Sequence, residues 1–177
     1  AFGDSLTADY GVKDEESYPS KLQEKISSAG FPHKVVNAGV SGDTTAGGVR
    51  RIRWLMKHEP EIVILALGAN DGLRGLSIDE MRKNLEIMIT ICREHNAQIL
   101  LAGMKALPNY GEDYMREFET VFPELAEKHD LIFLPFLLEG VAGEREYTQS
   151  DGLHPLASGH SIITDLVWQR LKPMLKK

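Results

Sequence analysis

Four short segments, far apart in the chain, carry the groups that acyl transfer by a serine requires. They are Gly3-Asp4-Ser5-Leu6, Ser41-Gly42-Asp43, Gly68-Ala69-Asn70-Asp71 and Asp151-Gly152-Leu153-His154. In that order they offer a hydroxyl, a backbone N–H beside a glycine, a side-chain amide, and a carboxylate close to an imidazole. Such a reaction needs a nucleophile, donors for the developing oxyanion and an oriented general base. Together, the four segments predict the chemistry of a serine hydrolase.

Asp151 and His154 are the most informative pair, because His154 follows the carboxylate by three residues. That spacing lets the carboxylate bind one ring nitrogen while the other nitrogen faces a hydroxyl. The structural alternative is a capped loop with an incidental surface histidine. His160 has no carboxylate at the same spacing. A zinc site would need at least three protein ligands, and no second histidine or cysteine lies at a matching spacing, so we expect no metal.

The other three residues also have purely structural interpretations. Ser5 could cap a helix that follows it, Gly42 could be a turn residue, and Asn70 could belong to an Asn-Asp-Gly turn. In the catalytic interpretation, a helix N-terminus after Ser5 supports an oxyanion, and Gly42 and Asn70 donate hydrogen bonds to it. Asp71 is expected to make local turn hydrogen bonds and to have no catalytic role.

Segments with helical and strand-like patterns alternate along the chain, and they decide where the chemical residues fall. The helical stripes are 18–26, 49–56, 78–92, 118–125 and 158–171, and the strand candidates are 1–2, 34–37, 62–67, 98–102 and 131–134. This alternation predicts an α/β fold with a parallel sheet. Each chemical segment follows a strand, and ligands bind at the carboxyl edge of such a sheet. Pro123 is expected to kink or break the fourth helix.

Length and composition narrow the class of protein. The 177 residues, 42% hydrophobic and 26% charged, fit one globular domain covering 1–177. The net charge of −6 argues against nucleic-acid binding by phosphate neutralisation. No apolar run approaches the roughly 20 residues that span a bilayer, so we expect no stable membrane insertion. Ala1-Phe2 reads as the end of a strand, which predicts a truncated N-terminal strand.

Two further features are interpreted as structural. Cys92, the single cysteine, lies on an apolar helical stripe and is expected in the core. Arg50, Arg51 and Arg53 form the only tight basic group. We interpret these arginines as the solvated face of a helix, with a docking patch for an anionic substrate as the alternative.

The four segments resemble the sequence blocks of the GDSL esterase/lipase family, also called SGNH hydrolases. The Gly-x-Ser-x-Gly elbow of α/β-hydrolases is absent. Leu107-Pro108-Asn109-Tyr110-Gly111 and Asp151-Gly152-Leu153-His154-Pro155 extend the likeness, which is greatest for the bacterial thioesterase I/arylesterase branch. The resemblance implies a flavodoxin-like, three-layer α/β/α sandwich with helices on both faces of a sheet of about five strands. It also favours a periplasmic or secreted location.

Carried over by position, the resemblance implies Ser5 as nucleophile, His154 as base and Asp151 as the residue that orients it. Gly42 and Asn70 would donate to the oxyanion together with the Ser5 N–H. No metal or organic cofactor is needed. The implied reaction is hydrolysis of carboxylic esters and thioesters of short to medium acyl chains, as in an arylesterase, acyl-CoA thioesterase or lysophospholipase.

Two alternatives remain open at this point. One is a carbohydrate O-acetylesterase that uses the same residues. The other is a non-catalytic flavodoxin-like module that binds an anion at the helix after Ser5. For an enzyme, we expect two loops over the active edge to line the acyl pocket, through Leu73, Leu76, Leu107, Pro108 and Tyr110.

Overall fold

The computed structural model describes residues 1–176 and contains a five-stranded parallel sheet. The strands are β1 Phe2–Gly3, β2 Ala38–Gly39, β3 Ile62–Ala66, β4 Gln98–Ala102 and β5 Ile132–Leu134. Their order is β2-β1-β3-β4-β5, and every neighbouring pair is parallel. The direction of strand addition reverses at β1, as in doubly wound sheets, and ligands bind at such a reversal. The predicted α/β fold is confirmed.

Two groups of helices cover the sheet. The helices are α1 Tyr18–Ser28, α2 Thr45–Leu55, α3 Ala69–Leu73, α4 Ile78–Glu94, α5 Glu112–Lys128 and α6 Ala157–Leu171. In one group α1 packs against α6, and in the other α4 packs against both α2 and α5. No helix in residues 1–176 combines the length and the apolar character needed to cross a membrane.

The core lies between these helices and the central strands. In β3, every residue after Ile62 is buried, which is the pattern of a strand covered on both faces. The apolar stripe of α4, which includes Leu85 and Met88, is buried as its period predicts. Cys92 is part of that stripe, and burial raises the pKa of its thiol to about 12. The expectation of a core cysteine is therefore confirmed.

The strand expected over 34–37 is absent, and pairing with β1 begins only at Ala38, opposite Phe2. The Ala1 amino group donates to the Val36 carbonyl at 2.9 Å, but a single hydrogen bond is not a strand ladder. A side chain satisfies part of the segment's backbone instead. Gln23 of α1 accepts a hydrogen bond from the Val35 N–H at 2.7 Å and donates one to the His33 carbonyl at 3.2 Å.

Of the kink or break expected at Pro123, the break is absent, because α5 runs without interruption from Glu112 to Lys128. A proline in a helix interior costs about 3 kcal/mol through its missing N–H and its clash with the preceding turn. Pro123 follows the fully buried Phe122, and Phe118 and Leu125 on the same helix are buried too. The packing of this apolar face outweighs the local cost.

Candidate active site

The structure brings Ser5, His154 and Asp151 into a hydrogen-bonded line. The Ser5 Oγ lies 3.0 Å from the His154 Nε2, although 149 residues separate the two in sequence. The His154 Nδ1 lies 2.6 Å from the Asp151 Oδ2. A hydroxyl, an imidazole and a carboxylate in this order form the arrangement of a nucleophile, its base and the group that orients the base.

A tight loop holds Asp151 in place. Its Oδ1 accepts the N–H groups of Leu153 at 2.9 Å and His154 at 3.0 Å. Gly152 has a φ of 71°, in the left-handed region that glycine tolerates, which lets the chain fold back over the carboxylate. Desolvation acts to raise the pKa of Asp151, but the hydrogen bonds from His154 and Leu153 outweigh it and lower the pKa to about 2. The carboxylate therefore stays ionised beside the imidazole.

The helix expected after Ser5 is not present. Residues 5–12 form turns, in which the N–H groups of Thr7 and Ala8 both donate to the Asp4 carbonyl at 3.1 and 2.9 Å. The capping interpretation of Ser5 is therefore wrong, and the helix N-terminus that both the catalytic and the non-catalytic interpretations placed after Ser5 is absent. Within residues 1–176, the N–H groups of Ser5 and Gly42 donate no hydrogen bond to another protein atom.

Gly42 and Asn70 approach the Ser5 segment from two other strands. Gly42 lies in a turn closed by the Asp43 N–H and the Val40 carbonyl at 3.0 Å, with a φ of 77°. The Asn70 Nδ2 donates to the Asp4 Oδ2 at 3.2 Å and to the Asp43 carbonyl at 3.0 Å. The Asn70 amide is thus fixed between the serine segment and the glycine segment. It lies in the short helix α3 rather than in the turn expected from Asn-Asp-Gly.

Asp71 is bonded to a distant segment instead of its own turn. Its carboxylate accepts the Thr45 N–H at 2.9 Å and the Thr45 hydroxyl at 2.6 Å. Burial raises the pKa of Asp71 despite these bonds. The expectation of local turn bonds was wrong, because the carboxylate ties α3 to the N-terminus of α2 and so helps to place its neighbour Asn70.

Asp4 is a buried carboxyl next to the serine, and no role for it was expected from the sequence. One oxygen accepts the Leu6 N–H at 3.0 Å and the other accepts the Asn70 amide at 3.2 Å. Burial raises the pKa of Asp4 to about 6, although these hydrogen bonds and the nearby His154 act in the opposite direction. Asp4 therefore orients Asn70 at the cost of an unfavourable buried charge.

The sequence model of the GDSL-like lipase/acylhydrolase family matches residues 1–162, a range that includes every site residue described above. The chain belongs to this family. It is 38% identical over 174 residues to the Esterase TesA of Pseudomonas aeruginosa, covering 98% of this chain and 87% of the relative. This GDSL hydrolase therefore acts on ester bonds.

Two further proteins place the chain within the family. It is 35% identical over 174 residues to "Thioesterase 1/protease 1/lysophospholipase L1" of Escherichia coli, covering 98% of this chain and 82% of that relative. A solved structure of the psychrotrophic esterase EstA from Pseudoalteromonas sp., inhibited by monoethylphosphonate, is similar with a TM-score of 0.93 and 33% identity. That match covers 98% of this chain and 95% of the other.

Arg51 of this GDSL hydrolase joins the ends of two strands, a role that the sequence pattern does not reveal. Its guanidinium donates to the Gly3 carbonyl at 2.8 Å, to the Ala38 carbonyl at 2.7 Å and to the Asp43 carboxylate at 2.6 Å. It also lies 4.0 Å from the centre of the Phe2 ring. The expectation of a solvated arginine is wrong here, and the available signal was Asp43, eight residues earlier and just before the same helix.

The two loops expected to line the acyl pocket contact each other. The Tyr110 hydroxyl donates to the Leu73 carbonyl at 3.2 Å, and the Tyr110 ring packs on Gly75. Arg74, in the first loop, donates to the Gly42 carbonyl at 2.8 Å, which links this loop to the Gly42 turn. The five residues proposed for the pocket, Leu73, Leu76, Leu107, Pro108 and Tyr110, lie on these loops, and Leu76, Leu107 and Tyr110 are exposed.

His160 lies outside the site. It is buried in α6, where its Nδ1 accepts the Tyr18 N–H at 3.2 Å. Burial lowers the pKa of His160 to about 4, so the ring is neutral in the folded protein. No group of three or more histidine, cysteine or acidic side chains in residues 1–176 is arranged to hold a metal ion.

Proposed function

We propose that this GDSL hydrolase cleaves carboxylic esters and thioesters of short to medium acyl chains through an acyl-serine intermediate. The observation that carries the proposal is the line from Ser5 through His154 to Asp151, with separations of 3.0 and 2.6 Å. The names of the relatives support the substrate class, since one is an esterase and another a thioesterase and lysophospholipase.

In the acylation step, the His154 Nε2 takes the proton of the Ser5 hydroxyl as the oxygen attacks the substrate carbonyl. The ionised Asp151 holds the proton on Nδ1 and stabilises the imidazolium that forms. The imidazolium then protonates the leaving alcohol or thiol. In deacylation, His154 activates a water molecule, which releases the acid and restores the serine.

The negative charge on the substrate oxygen would be held by three donors. The Ser5 and Gly42 N–H groups have no protein acceptor among the described residues, so they can donate at once. The Asn70 amide donates to Asp4 and to the Asp43 carbonyl in the resting enzyme. It reaches the oxyanion by exchanging the Asp43 bond, while the Asp4 carboxylate keeps it oriented. Preorganised donors of this kind are the largest single contribution in many acyl transfers.

A fluorophosphonate probe tests the nucleophile, because it forms a stable bond only with an activated serine. We expect the wild type to be labelled at Ser5 and the Ser5→Ala variant not to be labelled. Ser28→Ala, which removes an exposed hydroxyl at the end of α1, is the matched control and should label like the wild type. Equal labelling of Ser5→Ala and wild type contradicts the proposal.

A substrate series tests the acyl specificity. Acetyl, butyryl, octanoyl and dodecanoyl groups would be offered both as p-nitrophenyl esters and as coenzyme A thioesters, with an acetylated sugar for comparison. We expect kcat/KM to be highest for a short or medium chain in both series. Turnover of the acetylated sugar alone would favour the O-acetylesterase alternative and contradict the proposed substrate class.

A further inference from the structure

Gln149 links two segments that the proposed mechanism needs to keep together. Its side-chain Nε2 donates to the Tyr10 carbonyl at 3.0 Å and to the Pro155 carbonyl at 3.1 Å. Tyr10 belongs to the turns that follow Ser5, and Pro155 directly follows His154. One amide group therefore bonds both to the segment of the nucleophile and to the segment of the base, across 139 residues of sequence.

The loop that contains Gln149 is otherwise bonded mainly to itself. The Gln149 N–H donates to the His154 carbonyl at 2.7 Å, and the Gly152 N–H donates to the Gln149 carbonyl at 2.9 Å. Thr148 and Pro155 form a bridge beside them. Among the described residues, only two hydrogen bonds join 148–156 to 5–13, namely the bond between Gln149 and Tyr10 and the bond between Ser5 and His154.

The Tyr10 ring makes the same connection through a ring contact. Its centre lies 4.4 Å from the centre of the His154 ring, with an interplanar angle of 41°. Tyr10 is half exposed, so fewer packing contacts restrain this ring than restrain a buried one. The hydrogen bond from Gln149 to the Tyr10 carbonyl fixes the backbone from which the ring extends over the imidazole.

Gly11 provides the space for the Gln149 amide. A Cβ at this position would overlap the Gln149 carboxamide, and the φ of 76° already favours glycine. Any side chain at position 11 would therefore push the amide away from the Tyr10 carbonyl.

We infer that Gln149 is a positioning residue that holds the Ser5 segment against the His154 loop and so sets the distance over which the proton moves. The inference rests on the proposed function of Ser5 and His154. Without the Gln149 bond, the direct links between the two segments are the Ser5–His154 hydrogen bond and the Tyr10–His154 ring contact. A misplacement of about 1 Å costs on the order of 100-fold in rate, so the effect is on kcat rather than on substrate binding.

Two variants and two matched controls test the inference. Gln149→Met keeps the length of the side chain and removes both donors. Gln23→Met is its control, because the Gln23 amide also bonds two backbone groups, in 33–35, away from the site. Gly11→Ala displaces the amide without deleting it. Gly30→Ala is its control, because Gly30 has the same φ of 76° and open space around it.

We expect Gln149→Met and Gly11→Ala to lower kcat roughly 10- to 100-fold with KM within about threefold. The rate of fluorophosphonate labelling should fall in the same proportion. Each control should lose a similar amount of thermal stability and keep wild-type kcat and labelling rate. Gly11→Ala decides the question if Gln149→Met does not fold.

The inference is overturned if either folded site variant keeps kcat within twofold of its control, or if the loss is entirely in KM. Failure of the proposed function is a separate result, because the wild type itself would then not be labelled at Ser5. In that case the Gln149 variants would have no labelling rate to lower.

Discussion

Asp4 allows a prediction in which the effect of a substitution on stability changes with pH while its effect on activity is a loss. The side chain is fully buried, and burial raises its pKa from the ordinary 3.8 to about 6. The folded state therefore binds this proton more tightly than the unfolded state does. The stability that the neutral carboxyl contributes is complete below pH 3.8 and is lost as the pH rises through about 6.

The magnitude follows from the difference between the two pKa values. At about 1.4 kcal/mol for each pKa unit, the rise corresponds to about 3 kcal/mol that the wild type loses between acid and neutral pH. The Asp4→Asn side chain cannot ionise, so the variant does not lose this stability as the pH rises. Asn accepts with only one of its two terminal atoms, however, so either the Leu6 N–H or the Asn70 amide loses its acceptor. That loss costs about 1–3 kcal/mol at every pH.

The decisive measurement is urea unfolding of both proteins at several pH values. The free energy of unfolding of Asp4→Asn, relative to wild type, should increase by about 3 kcal/mol between pH about 3.5 and about 7.5. The kcat of the variant should fall about tenfold or more, because Asn70 is no longer held by a carboxylate. A stability difference that stays constant over this pH range refutes the reasoning about the buried charge.

Three more predictions concern single residues. Asn70→Ala should lower kcat about 100- to 1000-fold in steady-state kinetics, and a loss confined to KM would argue against an oxyanion donor. Arg51→Lys keeps the charge but loses the planar guanidinium that donates to both carbonyls, so kcat and the midpoint of urea unfolding should both fall. An unchanged unfolding midpoint contradicts this prediction. His160 is neutral when folded, with a pKa of about 4, so stability is lost as the pH falls from 6.5 towards 4. His160→Gln keeps an acceptor for the Tyr18 N–H. Its Tm should lie below that of the wild type by a smaller amount at pH about 4.5 than at pH about 7.5. A Tm difference between variant and wild type that is the same at both pH values would refute this.

The features that the sequence predicted well are local or follow directly from strand order. The spacing of Asp151 and His154 is a contact within one loop, and the stripe of α4 is a contact pattern within one helix. The convergence of the Ser5, Gly42 and Asn70 segments was predictable because parallel strands end at one edge. None of these inferences required knowledge of which distant backbone groups would meet.

The features that could not be predicted from the sequence depend on distant hydrogen-bond partners, which the helix and strand periodicity does not reveal. Arg51 looked like a solvated residue, yet one of its acceptors is 48 residues away. The hydrogen bond from Gln149 to Tyr10 spans 139 residues. Over 34–37 the Val35 N–H bonds to the Gln23 side chain instead of to a strand, and the sequence pattern does not reveal this partner.

The residues that the sequence missed share one physical role, which explains why they gather around the site. The segments that follow β1 and β2 are turns rather than helix or strand, so sheet pairing does not extend into them. Long polar side chains supply the missing restraints by donating to backbone carbonyls of neighbouring segments: Arg51 to Gly3 and Ala38, Arg74 to Gly42, and Gln149 to Tyr10. A carbonyl accepts such a bond whatever its side chain is, so these links leave the side chains of the loops free to line a substrate pocket. In the proposed mechanism, the segments that carry Ser5, Gly42 and His154 are therefore tied together by donors other than the reacting groups.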